Sequence, residues 1–161
     1  MKLYLAGGLF NAGERLHALN LEKHLVDLGY EVILPQREAL RFFKDGLFDI
    51  RGIVDDCRKN AIDPTKTCVC SSDGADADSG TAIEFGMAIT ATGKAIVYRT
   101  DFRTALEKEV GVNAMFRAND SVFIYEPCFF TELKEVDEYY KRLAAKIDEA
   151  IVSLKMNKPS K

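Results

Sequence analysis

Five short apolar runs, at residues 2–6, 31–34, 67–71, 95–98 and 121–125, alternate along this chain with longer segments whose apolar residues recur at helical spacing. Strand and helix therefore follow one another throughout, as in a sheet whose strands are joined by crossover helices rather than hairpins. Such crossovers bring the strands parallel and cover both faces of the sheet with helices. The fold predicted is one α/β domain over residues 1–161, a doubly wound sheet of five mainly parallel strands in the flavodoxin-like or Rossmann-like manner.

Residues 2–6 read as a buried strand ending at Gly7 and Gly8, and the helical pattern over 14–28 stops at Gly29. Pro35 closes the second strand, and residues 36–60 read as one or two helices interrupted near Asp45 and Gly46. The third strand leads into an acidic loop, 73–78, followed by a helix over 79–92 that ends at Gly93; a short helix is predicted for 105–117. From 132 to 155, Leu133, Val136, Tyr140, Leu143, Ile147, Ile151 and Leu154 recur every three or four residues and mark an amphipathic terminal helix that packs on the sheet or on a neighbouring subunit. The polar tail 157–161 is expected to fray.

With 161 residues, 47% of them apolar and 29% charged, the chain has material for one core but not for two domains. Its net charge of -3 offers no basic field to a polyanion, which argues against a nucleic-acid partner and for a small substrate. No run approaches the roughly 20 apolar residues of a membrane span, and no charged segment followed by an apolar run opens the chain. Cys57, Cys68, Cys70 and Cys128 form no CxxC pair, and Cys68 and Cys70 alternate in one strand so that both share a face. They read as structural thiols, and the expected setting is soluble, reducing and cytoplasmic. His17 and His24, both in a polar helical stretch, are read as structural or surface residues, and no metal site is expected.

Ligands of open α/β sheets gather at the carboxyl ends of the strands. That edge collects Gly7, Gly8, Leu9 and Phe10, then Pro35, Gln36 and Arg37, then the acidic loop. Directly after it, residues 78–86 read DSGTAIEFG, which sets Glu84 among small and apolar residues with Asp78 at the start of the helix. Asp78 can simply cap that helix. Glu84 has Gly80, Thr81, Met87 and Ala88 at helical spacing and no Lys or Arg there, so it is either paired with a distant cation or left as a reactive carboxylate that a ligand can approach across Gly80. Two carboxylates beside one small pocket point to glycosidic chemistry, with Glu84 as nucleophile and Asp78 as the proton-transfer group. Gly7 and Gly8 lack a full GxGxxG, which makes a dinucleotide site weak; they let a sugar approach the backbone closely.

The run LYLAGGLF at 3–10, the acidic loop with DSGTAIEFG, GKAIVY at 93–98 and VNAM at 112–115 together resemble the nucleoside 2-deoxyribosyltransferase family, over nearly the whole of residues 2–126. The resemblance implies that Glu84 attacks C1′ of a 2′-deoxynucleoside, expels the base and carries the deoxyribosyl group as an ester, which a second base then collects with retention and ping-pong kinetics. It implies that Asp78 protonates the departing base and that the Tyr4 hydroxyl holds the nucleophile, although Tyr4 also fits as a core aromatic. It places Phe10 beside base or sugar, against a plain core role, and Gln36 on the base, with Arg37 one residue away as the alternative. It makes Asp56, or else Asp55, a further active-site carboxylate. Residues 62–66 are extra length against the family pattern. Asn113 matches a residue that reaches the 5′-hydroxyl in a neighbouring subunit's pocket, against a turn cap, so a homodimer or larger homo-oligomer is implied. Substrates would be 2′-deoxynucleosides and free nucleobases, used in salvage without metal or organic cofactor. Two rivals are a hydrolase of deoxynucleoside 5′-monophosphates and a non-catalytic flavodoxin-like nucleotide-binding module.

Overall fold

The computed structural model describes residues 1–106, 109–117 and 121–156. In chain order the elements are β1 (Lys2–Ala6), α1 (Ala12–Asp27), β2 (Glu31–Ile33), α2 (Pro35–Glu38) with a 3-10 turn (Ala39–Phe42), β3 (Phe43–Lys44), β4 (Leu47–Phe48), α3 (Ile50–Ile62), β5 (Lys66–Ser71), α4 (Ser79–Thr92), β6 (Ala95–Arg99), β7 (Thr104–Leu106), β8 (Glu109–Val110), a 3-10 turn (Ala114–Arg117), β9 (Ser121–Tyr125), a further 3-10 turn (Leu133–Glu135) and α5 (Val136–Met156). The main sheet has five strands in the order β2-β1-β5-β6-β9, and every pair in it is parallel. The predicted doubly wound α/β fold is therefore the one observed. The strand order reverses between β1 and β5, and the carboxyl ends of those two strands open a crevice there.

Alternation along the strands sorts the core. Leu3, Leu5, Val69, Ile96 and Tyr98 face α1 and α5, where Leu21, Leu25, Leu143, Ile147 and Ile151 are buried against them. Tyr4, Ala6, Cys68, Cys70 and Val97 face the opposite way, toward Phe85 and Ala88 of α4 and Ala61 of α3. Cys68 and Cys70 share that face as expected, their sulfurs 3.4 Å apart and both thiols free. A parallel sheet buried on both sides reads as continuous apolar runs, which is why these strands were recognisable. No helix among the described residues is long and apolar enough to cross a membrane.

The structure departs from the sequence reading in four places. Helix α1 starts two residues before the predicted 14, because Asn11 caps it and Glu14 closes a capping box. The break at Asp45 and Gly46 separates no helices: φ values of 51° and 80° make it a hairpin turn between β3 and β4, held by Phe43 and Phe48 with ring centroids 4.7 Å apart. In place of a helix over 105–117, β7 and β8 pair antiparallel and, among the described residues of that stretch, 114–117 alone coil, in 3-10 form; Val110, Gly111 and Val112 are poor helix formers. Leu133 precedes α5 and is 91% exposed, so it does not belong to the buried stripe. The tail 157–161 lies outside the described residues.

Glu14 also explains a glycine. Its carboxylate accepts from the backbone amides of Phe10 at 2.7 Å and Asn11 at 3.3 Å, and it lies where a Cβ on Gly8 would sit 2.7 Å from Glu14 Cδ. Gly8 thus makes room for the capping box of α1, and with Gly7 it also lines the cavity described below. Gly86, on the exposed side of α4, has nothing within 4 Å of its missing Cβ. Gly8→Ala is expected to cost about 1 kcal/mol by displacing Glu14, whereas Gly86→Ala should stabilise by up to about 1 kcal/mol through helix propensity. Urea unfolding of the two variants beside the wild type measures both.

Candidate active site

Helix α4 begins at the carboxyl edge of the sheet and carries Glu84 in its second turn. The Tyr4 hydroxyl, 1% exposed in the middle of β1, donates to Glu84 Oε1 at 2.6 Å. Helix α3 packs against α4 and brings Cys57 near the same two groups. Among the described residues no Lys, Arg or His forms an ion pair with Glu84. Burial pushes the Glu84 carboxyl above the usual carboxylate range; the Tyr4 hydroxyl and the nearby Cys57 thiol oppose that shift, and the charge of Asp78 adds to it. The Tyr4 hydroxyl is likewise pushed up, first by burial and then by the Glu84 charge, so it stays a donor.

Asp78 caps α4 through Oδ2, which accepts from Thr81 N at 2.8 Å and from Thr81 Oγ1 at 3.1 Å. A Cβ on Gly80 would sit 3.0 Å from that oxygen, so Gly80 lets the cap fold back over the helix. The plain reading of Asp78 as a cap is thus real, but the residue also lines a cavity of about 420 Å³ at the crevice between β1 and β5. Asp78, whose charge bears on Glu84, thus lines the cavity, while Glu84 does not.

The acidic loop forming one wall is held by a buried network. Asp73 accepts from Thr100 N and Thr100 Oγ1, both at 2.6 Å, and from Asp101 N at 2.9 Å. Arg99, 1% exposed, donates to the carbonyls of Ser72 and, at 3.1 Å, Gly74. Asp101 accepts from Gly74 N at 3.2 Å, and hydrogen bonds from Arg103 hold its carboxyl down to about 2.

Opposite that wall stand Gly7, Gly8, Glu14, His17 and Gln36. Gln36 is 7% exposed; its Nε2 donates to the Arg15 carbonyl at 3.3 Å, while Oε1 is buried with no partner. A carbonyl only accepts, so the amide orientation is set, with Oε1 beneath the surface of the cavity wall. Arg37 instead pairs with Glu22 through two contacts of 2.6 and 2.8 Å and does not line the cavity. His17 is held between the hydroxyls of Tyr98 and Tyr140, each 2.9 Å from a ring nitrogen, and burial lowers its pKa. Its structural reading stands, though its place in the cavity wall had no signal in the sequence. Buried His24 likewise packs near Asp137, at 3.3 Å.

Other candidates are not gathered. Tyr4, Phe10, Asp56, Gly80, Glu84 and Asn113 do not line this cavity. Phe10, 79% exposed, is no core residue; it stands just beyond Leu9, which does line the cavity. Asp56 bonds Arg41 and Asn60, each at 3.2 Å, and Asp55 is exposed. Asn113 caps the 3-10 turn by accepting from Met115 N at 3.0 Å. No group of three or more His, Cys, Asp or Glu suited to a metal ion occurs among the described residues.

Comparison with known proteins places this arrangement. A family model for nucleoside 2-deoxyribosyltransferase matches residues 3–121. The chain belongs to the nucleoside 2-deoxyribosyltransferase family. A search of curated protein sequences gave no match. Among solved structures, a conserved protein from Enterococcus faecalis V583 is similar with a TM-score of 0.66 at 19% identity, covering 89% of this chain and 98% of that one. A 2-deoxyribosyltransferase from Bacillus psychrosaccharolyticus is similar at 0.51 and 23% identity, covering 89% and 96%. A CMP N-glycosidase from Clostridium botulinum is similar at 0.51 and 13% identity, covering 92% and 99%. These likenesses show a shared fold.

In this family member the Glu84 environment sets a pH dependence. The folded state binds the Glu84 proton more tightly than the unfolded chain does, so stability falls as pH rises from the ordinary value near 4.5 through the raised one. Glu84→Gln is therefore expected to be more stable than the wild type at neutral pH, with the gain fading below about pH 4. Urea midpoints across pH 3.5 to 7.5 test this; a constant difference between the two proteins would contradict it.

Proposed function

We propose that this chain transfers 2-deoxyribose between nucleobases through a covalent deoxyribosyl ester on Glu84. The observation that carries the reading is a half-buried carboxylate held by the uncharged Tyr4 hydroxyl, with no cation paired to it among the described residues, on the helix whose cap, Asp78, lines the cavity at the sheet's switch point. A cation would bind the carboxylate tightly and blunt it; a hydroxyl donor keeps it ionised and available. Glu84 attacks C1′ as the bond to the base breaks, and the electron pair of that bond leaves with the base. Asp78, bound by its cap through Oδ2, retains Oδ1 to deliver a proton to the departing nitrogen and to take it from the incoming base. Gln36 accepts a hydrogen bond from an N–H of the base, and Phe10 closes over it from the rim. The products are a retained nucleoside and a free base, as cytoplasmic salvage requires, with no cofactor in either half-reaction.

The rival monophosphate hydrolase gains support from the glycosidase neighbour's fold but not from the cavity. Glu14, Asp73, Asp76 and Asp78 line it, and among the described residues no Lys or Arg does, which favours an uncharged nucleoside over its 5′-phosphate. In the proposed assembly, a homodimer or larger, Asn113 reaches a neighbour's pocket. Its Oδ1 is spent on the Met115 amide, which leaves the NH₂ group to donate to a 5′-hydroxyl.

Incubation with a 2′-deoxyinosine analogue fluorinated at C2′, followed by intact-mass measurement and peptide mapping, tests the reading. The expected result is a fluorodeoxyribosyl adduct on Glu84, discharged by adenine or cytosine, absent in Glu84→Ala, whose turnover should fall by at least about a thousandfold. Absence of any adduct, with ligand binding intact in Glu84→Ala, would sink the assignment in favour of a binding module.

A further inference from the structure

We infer that the β3–β4 hairpin and the exposed face of α3 beside it form a surface through which two copies of this chain associate. The inference names a surface for the self-association proposed above and does not rest on Glu84 as nucleophile. Leu40, Phe43, Leu47, Phe48, Ile50 and Val54 are all exposed, Leu47 to 75%. None of them joins either core cluster. Exposed apolar side chains scattered singly are ordinary, but six within one hairpin and the segments flanking it make a patch. The hairpin is a two-stranded sheet separate from the main one, and such a unit is marginal when left uncovered. Phe43 and Phe48 stand on one of its faces, ring centroids 4.7 Å apart, and Leu47, paired in register with Lys44, stands on the other. Both faces are therefore apolar and open, and the body of the chain lies to one side of such an arm. Covering the other takes a second molecule. Helix α3 continues the patch, with Ile50 and Val54 one turn apart on its exposed side. The amide of Asp49, which caps α3, donates to the Phe42 carbonyl at 2.9 Å and so fixes the hairpin to the helix.

The charges around the patch say what covers it. Lys44 and Asp45 on the hairpin and Arg51 and Asp55 on α3 are exposed, and none of them forms an ion pair among the described residues. Unpaired charges of both signs around an apolar centre suit a surface of the same composition, met about a twofold axis so that the cations of one copy face the anions of the other. A nucleic acid or an anionic membrane would call for one sign alone. The six apolar side chains present on the order of 600 Å² on each copy, so two facing copies bury roughly 1,200 Å², the lower edge of the range for specific stable interfaces.

Sedimentation equilibrium of the full chain from about 1 to 100 μM tests the surface, with Leu47→Asp for the hairpin and Val54→Asp for α3. The wild type is expected to self-associate, and each substitution to weaken that association by at least about tenfold. Leu133→Asp, an equally exposed apolar residue outside the patch, serves as the control and should leave the association unchanged. Hydrogen exchange of the wild type at the two ends of that concentration range needs no variant: residues 40–54 should gain protection as the protein is concentrated. Association that survives both substitutions, with no gain of protection over 40–54, would overturn this surface and leave the proposed assembly to another one. A wild type that stays monomeric throughout would overturn the surface and the assembly together, and a patch then protected only by a different protein would be a docking site for that partner. The adduct on Glu84 is read separately, so the catalytic proposal stands or falls on its own.

Discussion

The carboxylate of Glu84, taken partly out of water with no cation paired to it among the described residues, is the constraint around which this molecule is arranged. Such a group is tolerated only where a donor is supplied from elsewhere, and here β1 contributes the Tyr4 hydroxyl from the centre of the sheet. That strand must hold its register. A slip of one residue in β1 would turn Tyr4 into the α1 and α5 core and bring Leu3 or Leu5 to the acid.

A second network keeps the reaction edge in shape. Asp73 gathers three donors from Thr100 and Asp101, and Arg99, fully buried, spans the carbonyls of Ser72 and Gly74. The acidic loop is thereby tied to the strand beside it, and Asp78 at its end is aimed by the cap it makes on α4. Glu14 does the same for the loop after β1. Each wall of the cavity thus has its own charged clamp, which permits a concave, acid-lined surface in a sheet otherwise built of apolar runs.

Much of the fold was legible because local patterns carried it. Continuous apolar strands, Gly93 in the left-handed conformation at the end of α4, and the period of α5 all express short-range physics. Glu84 could be singled out for a similar reason, since no cation stands within a helical turn of it. Where the reading went astray, the deciding contact was not local. Phe43 and Phe48 turned an assumed helix break into a hairpin, and the pairing of β7 with β8 took the place of an assumed helix.

The amino-acid sequence by itself determined the alternating α/β plan, the edge at which chemistry gathers, and the pair of acids, Asp78 and Glu84, because periodicity and helix capping act over a few residues. Only the tertiary structure placed neighbours apart: Gln36 in the cavity wall, and Arg37 on Glu22. Adjacent helical residues differ by about 100° around the axis. Which of them meets a site is set by the packing of one helix on another, information that no short stretch of the chain contains.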